Sequence, residues 1–323
     1  MSITTPSYRP DPQRTGISLA YTNPLLSLIA DEVLPRVPVG AYQFSWNRFP
    51  LADRFTVPDT IMGRKGEANT VEFGVSKETA MVEDHGLACE TPEIDVQEGA
   101  LTGYNPLDGN ALTLTELLLL RHEKLVADKV FNLNTYPSAN RATLSGTDQF
   151  SHASSTPFDT IMNALESVVM RPNVLVFSRP GIVALRRHPQ ITAMVATTGT
   201  GNSGTTNSAG PRATIAQLAD LFEVQRILVG EAQVNTAGFG ETASLARCWG
   251  KHMAMLHINP NVVSPLGQAI TFGFLAELGS RDALTGFEPK KGKLGCHYQR
   301  VAETKKPIIC ANDVGYFLQN IIA

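Results

Sequence analysis

The chain has 323 residues, of which 27 are basic and 30 acidic, giving a formal charge of −3, and 43% of it is apolar. That apolar share excludes a disordered chain, and the near balance of charge excludes a strongly basic nucleic-acid module. No stretch approaches the ~18 consecutive apolar residues of a membrane span, and Met1 to Pro10 lack the apolar centre of a signal peptide. The chain therefore reads as soluble and intracellular when made, with no membrane partner.

Pro6, Pro10, Pro12, Pro24, Pro35 and Pro38 punctuate the first forty residues. Each proline lacks an N–H and pushes its predecessor away from helical geometry. The expectation is an extended arm, interrupted by one short helix around Leu25 to Leu34. From Gln43 to Glu98 the pattern changes to short alternating runs, Phe44 and Trp46, then Val71, Phe73 and Val75. That is the period of a half-buried strand, and the turn formers between them (Pro58, Asp59, Gly63, Gly66, Asn69) make the whole a long β-hairpin or loop. Its five basic residues face eleven acidic ones. A two-stranded ribbon is marginal alone in water, so something outside it must hold it.

Leu114 to Phe131 has apolar residues at helical spacing, with Thr113 or Thr115 as cap and Glu116 in the first turn. Asn132 to Phe158 is a polar loop. A layered α/β pattern follows, with a helix from Pro157 to a stop at Pro172, a buried strand Asn173 to Phe177, and a helix from Ser178 through Arg187. A helix capped by Thr214 and a second buried strand, Arg226 to Gly230, complete it. The rest is strand-like: Trp249 to His257, Thr271 to Glu277, Gly295 to Val301 and Ala311 to Ile321, with Pro307 and Gly315 as breakers.

Sites of chemistry are sparse. Gly199-x-Gly201-x-x-Gly204 matches the dinucleotide fingerprint literally, but the next helix starts at Thr214, too far away for its N-terminus to face a pyrophosphate. Cys248, His252 and His257 share no single face of a strand or helix, and Cys89, Cys248, Cys296 and Cys310 form no close pair. Free thiols in a reducing compartment are expected, with no metal and no cofactor. Signature motifs of serine hydrolases, zinc proteases and P-loop enzymes are absent, and Lys290, Lys291 and Lys293 read as a solvated turn. The sequence points away from an enzyme.

In order, an arm, a charged hairpin, a long helix, an α/β domain and returning strands resemble the major capsid proteins of tailed double-stranded DNA bacteriophages. Segments such as LADLFEVQRILVGEA and PIICANDVGYFLQNIIA carry the likeness. The resemblance implies the α+β Hong Kong 97 phage capsid fold. Residues 1–42 would be the N-arm, 43–98 the extended loop, 99–155 and 278–323 the peripheral domain with its spine helix, and 156–277 the axial domain. It further implies a virion shell protein, assembled in the host cytoplasm, that builds pentamers and hexamers around double-stranded DNA held weakly and without sequence preference. Separate scaffolding and portal proteins, and a decoration protein, are the partners it implies. In the covalently linked relative a loop lysine joins a neighbour's asparagine, roles in which Lys65 and Asn312 could be cast.

Because the hairpin cannot be stable within its own subunit, it should lie across neighbours, as should the arm. Trp46, Phe49, Phe55 and Phe73 are the apolar anchors expected there. Arg48, Arg54, Arg64, Lys65 and Lys77 supply charge across the seam. The competing readings are a cellular nanocompartment shell and an α/β enzyme using the loop at Gly199.

Overall fold

The computed structural model describes residues 9–20, 27–48, 56–62, 64, 66–71, 74, 76–198, 212–238, 241–262, 264–265 and 270–323. Two five-stranded sheets, joined by one long helix, organise these residues.

Fourteen β-strands occur among the described residues. In chain order they are β1 (Arg9–Pro10), β2 (Arg36–Pro38), β3 (Gln43–Arg48), β4 (Ser76–Met81) and β5 (Glu83–Pro92). Then come β6 (Arg141–Thr143), β7 (Val174–Ser178), β8 (Arg226–Gly230), β9 (Gln233–Asn235) and β10 (Leu245–Arg247). The last four are β11 (Met253–Leu256), β12 (Gly273–Glu288), β13 (Cys296–Ile309) and β14 (Gly315–Gln319). One sheet runs β1–β12–β13–β5, with β2 parallel to β12 on the same edge as β1. The other runs β6–β14–β11–β7–β8. A separate antiparallel ribbon pairs β3 with β4 from Gln43↔Met81 to Arg48↔Ser76.

The second sheet is covered on both faces, which explains its continuous apolar runs. Val174, Val176, Ala254, Leu256 and Phe317 face one core cluster, with Trp249 and Phe272. Leu175, Phe177, Met253, Met255 and Leu318 face the other. The second cluster also takes in Ile161, Leu165, Ile182, Leu185, Ile191 and Leu218 from four helices. Gly230 lies against the Trp249 ring, which a Cβ there would approach to 2.1 Å.

In chain order the helices are α1 (Pro12–Ala20), α2 (Ala30–Val33), α3 (Glu93–Thr102), α4 (Pro106–Val130), α5 (Pro157–Ser167), α6 (Arg179–Arg187), α7 (Pro189–Thr198) and α8 (Ile215–Leu221). At 1.5 Å per residue, α4 spans roughly 37 Å. Its first half packs Leu114 and Leu118 on Ala283 and Val301 of the first sheet. Its second half puts Val126, Ala127 and Val130 into the core beneath the second sheet. The helix is thus the beam between two sheets.

Several expectations change. The arm expected to be extended contains α1, because Asp11 caps it by accepting the N–H groups of Gln13 and Arg14, with Pro12 at its first position. The short helix is confined to Ala30–Val33; residues 21–26 lie outside the described residues. The long helix starts at Pro106, with Asn105 Oδ1 accepting the Leu107 N–H 3.1 Å away, rather than at Thr113 or Thr115.

The hairpin expected through Glu98 divides. Its ribbon ends at Met81, after which Glu83–Pro92 joins β13 as a sheet strand and Glu93–Thr102 is helical. Pro307, expected to break a strand, sits inside β13. There Leu275, its partner, donates to Pro35 instead, and β5 has already ended at Glu83, so the missing N–H costs nothing.

Candidate assembly surface

The ribbon β3–β4 is rooted in its own subunit. Successive strand residues point to opposite faces, so Phe44 and Trp46 both turn inward, against Phe274, Val37, Val82 and Ile308. Trp46 is 6% exposed, and its indole nitrogen has no hydrogen-bond partner among the described residues. Expected as an anchor on a neighbour, Trp46 instead fastens the ribbon to its own body. Arg48, next on that face, donates to Glu78 at 3.2 Å and to Asn312 Oδ1 at 3.1 Å. Arg64 and Lys77 are exposed. Phe49, Arg54, Phe55, Lys65 and Phe73 lie outside the described residues, as does the loop at Gly199.

Beyond the root, every described loop residue from Thr56 to Gly74 is exposed. Val57 is 90% exposed, Ile61 84%, Met62 58% and Val71 48%. Four large apolar side chains on a single loop are a surface that water disfavours. Val71, expected in a half-buried strand, is exposed outside any strand, while Val57, Ile61 and Met62 stand among prolines, glycines and acids without a period. The signal was their presence in a turn-rich stretch at all.

The N-terminal segment behaves differently, and the expectation that it lies across neighbours is corrected over its described residues. Helix α1 packs on β12 and α4. Ser18, fully buried, accepts at its carbonyl from Arg281 (2.9 Å) and at its hydroxyl from Thr115 (3.0 Å), and Arg14 pairs with Asp108 at 3.2 Å. Arg281 in turn pairs with the buried Glu303, which also binds Lys305. Helix α2 is held by Glu123 of α4, whose carboxylate accepts the N–H groups of Ile29 (3.1 Å) and Ala30 (2.8 Å) and the Trp249 indole (2.5 Å).

Beside it, His122 Nε2 lies 3.0 Å from Asp31, which also accepts from Arg36 at 2.9 Å. Burial pushes the Asp31 carboxyl up, but His122 and Arg36 outweigh it and hold it well below the usual carboxylate range. A group whose carboxyl is depressed on folding adds stability above its unfolded pKa of about 3.9 and loses it as pH falls below that. Asp31→Asn should therefore flatten the acid-side fall in melting temperature below about pH 4, measured by calorimetry over a pH series. An unchanged slope would show that the pair contributes nothing.

Ser155 Oγ lies 3.0 Å from His188 Nε2, but His188 Nδ1 accepts the Gln190 N–H, so Nε2 carries the proton toward the serine and the His152 carbonyl at 3.1 Å, while the serine hydroxyl itself donates to that carbonyl at 2.8 Å, and the ring is not placed to take the serine proton. His252 Nδ1 accepts from the Asn320 backbone, and its ring lies against Phe131 and Phe317. No group of three metal-ligating side chains occurs among the described residues, where all four cysteines are free thiols. No described helix is long and apolar enough to cross a membrane.

The described residues thus form two sheets bridged by one long helix, with a rooted ribbon that carries an exposed apolar loop. No protein-family model matches the sequence. A major capsid protein of Pseudomonas phage JBD67 is 40% identical over 313 residues, covering 97% of each chain. The chain belongs to the phage major capsid proteins. Its fold is that of a phage-related protein from Bordetella bronchiseptica RB50 (TM-score 0.72, 20% identity, 98% of each chain). The capsid of cyanophage P-SCSP1u also shares it (TM-score 0.59, 9% identity, 93% of this chain and 90% of the other). This is the Hong Kong 97-type α+β capsid fold, and the protein is a structural component of a virion shell made of its own copies.

Proposed function

We propose that the chain assembles through pentamers and hexamers into a closed icosahedral shell around double-stranded DNA, and that it catalyses no reaction. The uncovered apolar loop carries this reading. Side chains such as Val57 and Ile61 each gain roughly 1.5–3 kcal/mol on full burial, so four of them offer on the order of 5–10 kcal/mol, less the cost of ordering the loop. Stable protein contacts bury at least ~1,000 Å². Residues 49–75 could extend roughly 40 Å from the ribbon root and return, enough to lie along a neighbour.

Head-to-tail contacts of this kind close into rings, which makes pentamers and hexamers the natural units. In this reading the arm and α4 belong with the β12–β13 sheet in a peripheral part, and the β7 sheet with α5 to α8 forms an axial part. Separate scaffolding, portal and decoration proteins complete the particle, which assembles in the host cytoplasm. The near-neutral charge suits DNA that must be packed and released. Similarity to a capsid protein of a Pseudomonas phage favours DNA over an enclosed enzyme as the content. Electron microscopy and sedimentation of the purified full chain should show shells or their ring units. A compact monomer at all concentrations would refute the proposal.

A further inference from the structure

Seven arginines among the described residues pair with a carboxylate, Arg179 with Glu231 for one. Arg186, Arg187 and Arg212 have no acid partner among the described residues, and backbone pairing gathers them at one end of α6. The Ala213 N–H donates to the Arg186 carbonyl at 3.0 Å, and Arg186 Nε donates to the Ala213 carbonyl at 2.6 Å. Both terminal nitrogens of Arg186 are left without a partner among the described residues, and Arg187 and Arg212 are exposed. Burial, Arg212 and Arg179 push the Arg186 guanidinium below its ordinary value, as like charges held close together do. The C-terminus of α6 carries only about half a negative charge, which offsets a small part of three positive ones.

The same stretch is lopsided in sequence. From Arg179 to Leu221 there are four arginines and a single acid, Asp220, in a chain whose formal charge is −3. A protein partner is normally held by apolar side chains at the centre of the contact. Between Arg179 and Leu221, Ile215 at 36% is the one exposed large apolar side chain among the described residues. Guanidinium forks without apolar company suit a partner that offers anionic oxygens along its length, which is a phosphate backbone. The other basic cluster, at the turn between β12 and β13, differs on both counts. There Lys291 already donates to Glu90 at 2.7 Å, and Phe287 and Leu294 are exposed in the same hairpin.

We propose that Arg186, Arg187 and Arg212 form a contact for the phosphate backbone of the enclosed duplex DNA, made by the end of α6 and the segment that leads into α8. The inference rests on the shell reading and names where such a shell meets its content. Three guanidinium groups neutralise up to three phosphates, so the affinity should fall with salt at a log–log slope of about −3 and show no base preference. A contact of that size steadies packed DNA and still lets it leave.

The test is binding of a labelled duplex of about 20 base pairs to the full chain, followed by fluorescence anisotropy over a salt series. Arg187 and Arg212 are exposed and bond to nothing described, so Arg187→Gln combined with Arg212→Gln should leave circular dichroism and melting temperature unchanged. It should weaken binding about tenfold at ~50 mM salt and make the slope shallower by about 2. Lys290→Gln combined with Lys293→Gln should change neither. Intact shells should bind added duplex about tenfold more weakly per chain than the free chain does, because the patch then faces inward. No binding by the parent, parental binding by the arginine variant, an equal loss in the lysine variant or undiminished binding by intact shells would overturn the inference. So would polyglutamate that displaces the label better than unlabelled duplex at matched charge, which would put an acidic protein on the patch. If the parent forms no shells, it is the functional reading that fails, while the free chain still decides the patch.

Discussion

A chain in which residues 49–75 are replaced by Asn-Gly will fold to a soluble subunit and form no shells. The ribbon makes its last cross-strand pair at Arg48↔Ser76, and Asn-Gly is the two-residue connection whose twist suits such a pair. Phe44 and Trp46 keep their packing on Phe274, so the root survives. What goes is the exposed set Val57, Ile61, Met62 and Val71, which no described part of the same chain covers. Melting temperature should stay within a few degrees of the parent, because every described residue that is removed is exposed. Sedimentation should show small species only, and electron microscopy no particles. Shells at parental yield would mean that adhesion resides elsewhere.

The second large effect is on stability. Glu123→Ala should cost about 3–5 kcal/mol, lowering the melting temperature by on the order of 10 °C. Two forces act on this carboxylate. Burial pushes it up, disfavouring the charge, while the Trp249 indole and the Ile29 and Ala30 N–H groups favour it. Removing the acid relieves the first but leaves three buried donors unmet, at about 1–3 kcal/mol each, and that loss is the larger. Glu123→Gln keeps the shape and an accepting oxygen, and should fall roughly midway between parent and alanine variant. Calorimetry of the three chains decides the matter: an alanine variant melting within about 2 °C of the parent would show that water replaces the lost acceptor. Because Glu123 holds α2, the damage should appear first as faster hydrogen exchange near Ala30.

The parts of the fold legible in the sequence share one property, a monotone environment. Val174 to Phe177 and Met253 to Leu256 are buried on both faces, so their residues are uniformly apolar. Thr214 and Gln217 form a capping box that marks the start of α8 from local chemistry alone. Strand β5 was misplaced because its residues are mostly polar and exposed, and its position depends on backbone pairing with β13, far away in sequence. The start of α4 was missed because Gly109 and Asn110 dilute its first turns, although Asn105-Pro106 is a cap signal.

Of the candidate surface, the first ribbon strand is legible from Phe44 and Trp46 and the loop from its turn formers, but the second strand is Ser76–Met81, past the expected alternation at Val71, Phe73 and Val75, and which aromatic faces inward is not legible. Trp46 looks the same in sequence whether it seals a root or grips a neighbour. The buried charges were hidden more deeply. Glu303, Lys305 and Arg281 are residue types that belong on the surface by default, and only tertiary packing encloses them, with Arg281 donating to Ser18 of α1 and Glu303 lying 4.0 Å from Arg36 of β2.

Helix α1, fastened through Ser18 to Arg281 and Thr115, has a kinetic consequence. A newly made polypeptide can seat this helix before meeting any sister molecule, because its partners lie in the same chain. Maturation of each molecule should then be first order and indifferent to dilution, while growth of particles depends steeply on abundance. The cell can thus accumulate finished bricks and hold back the wall until there are enough of them.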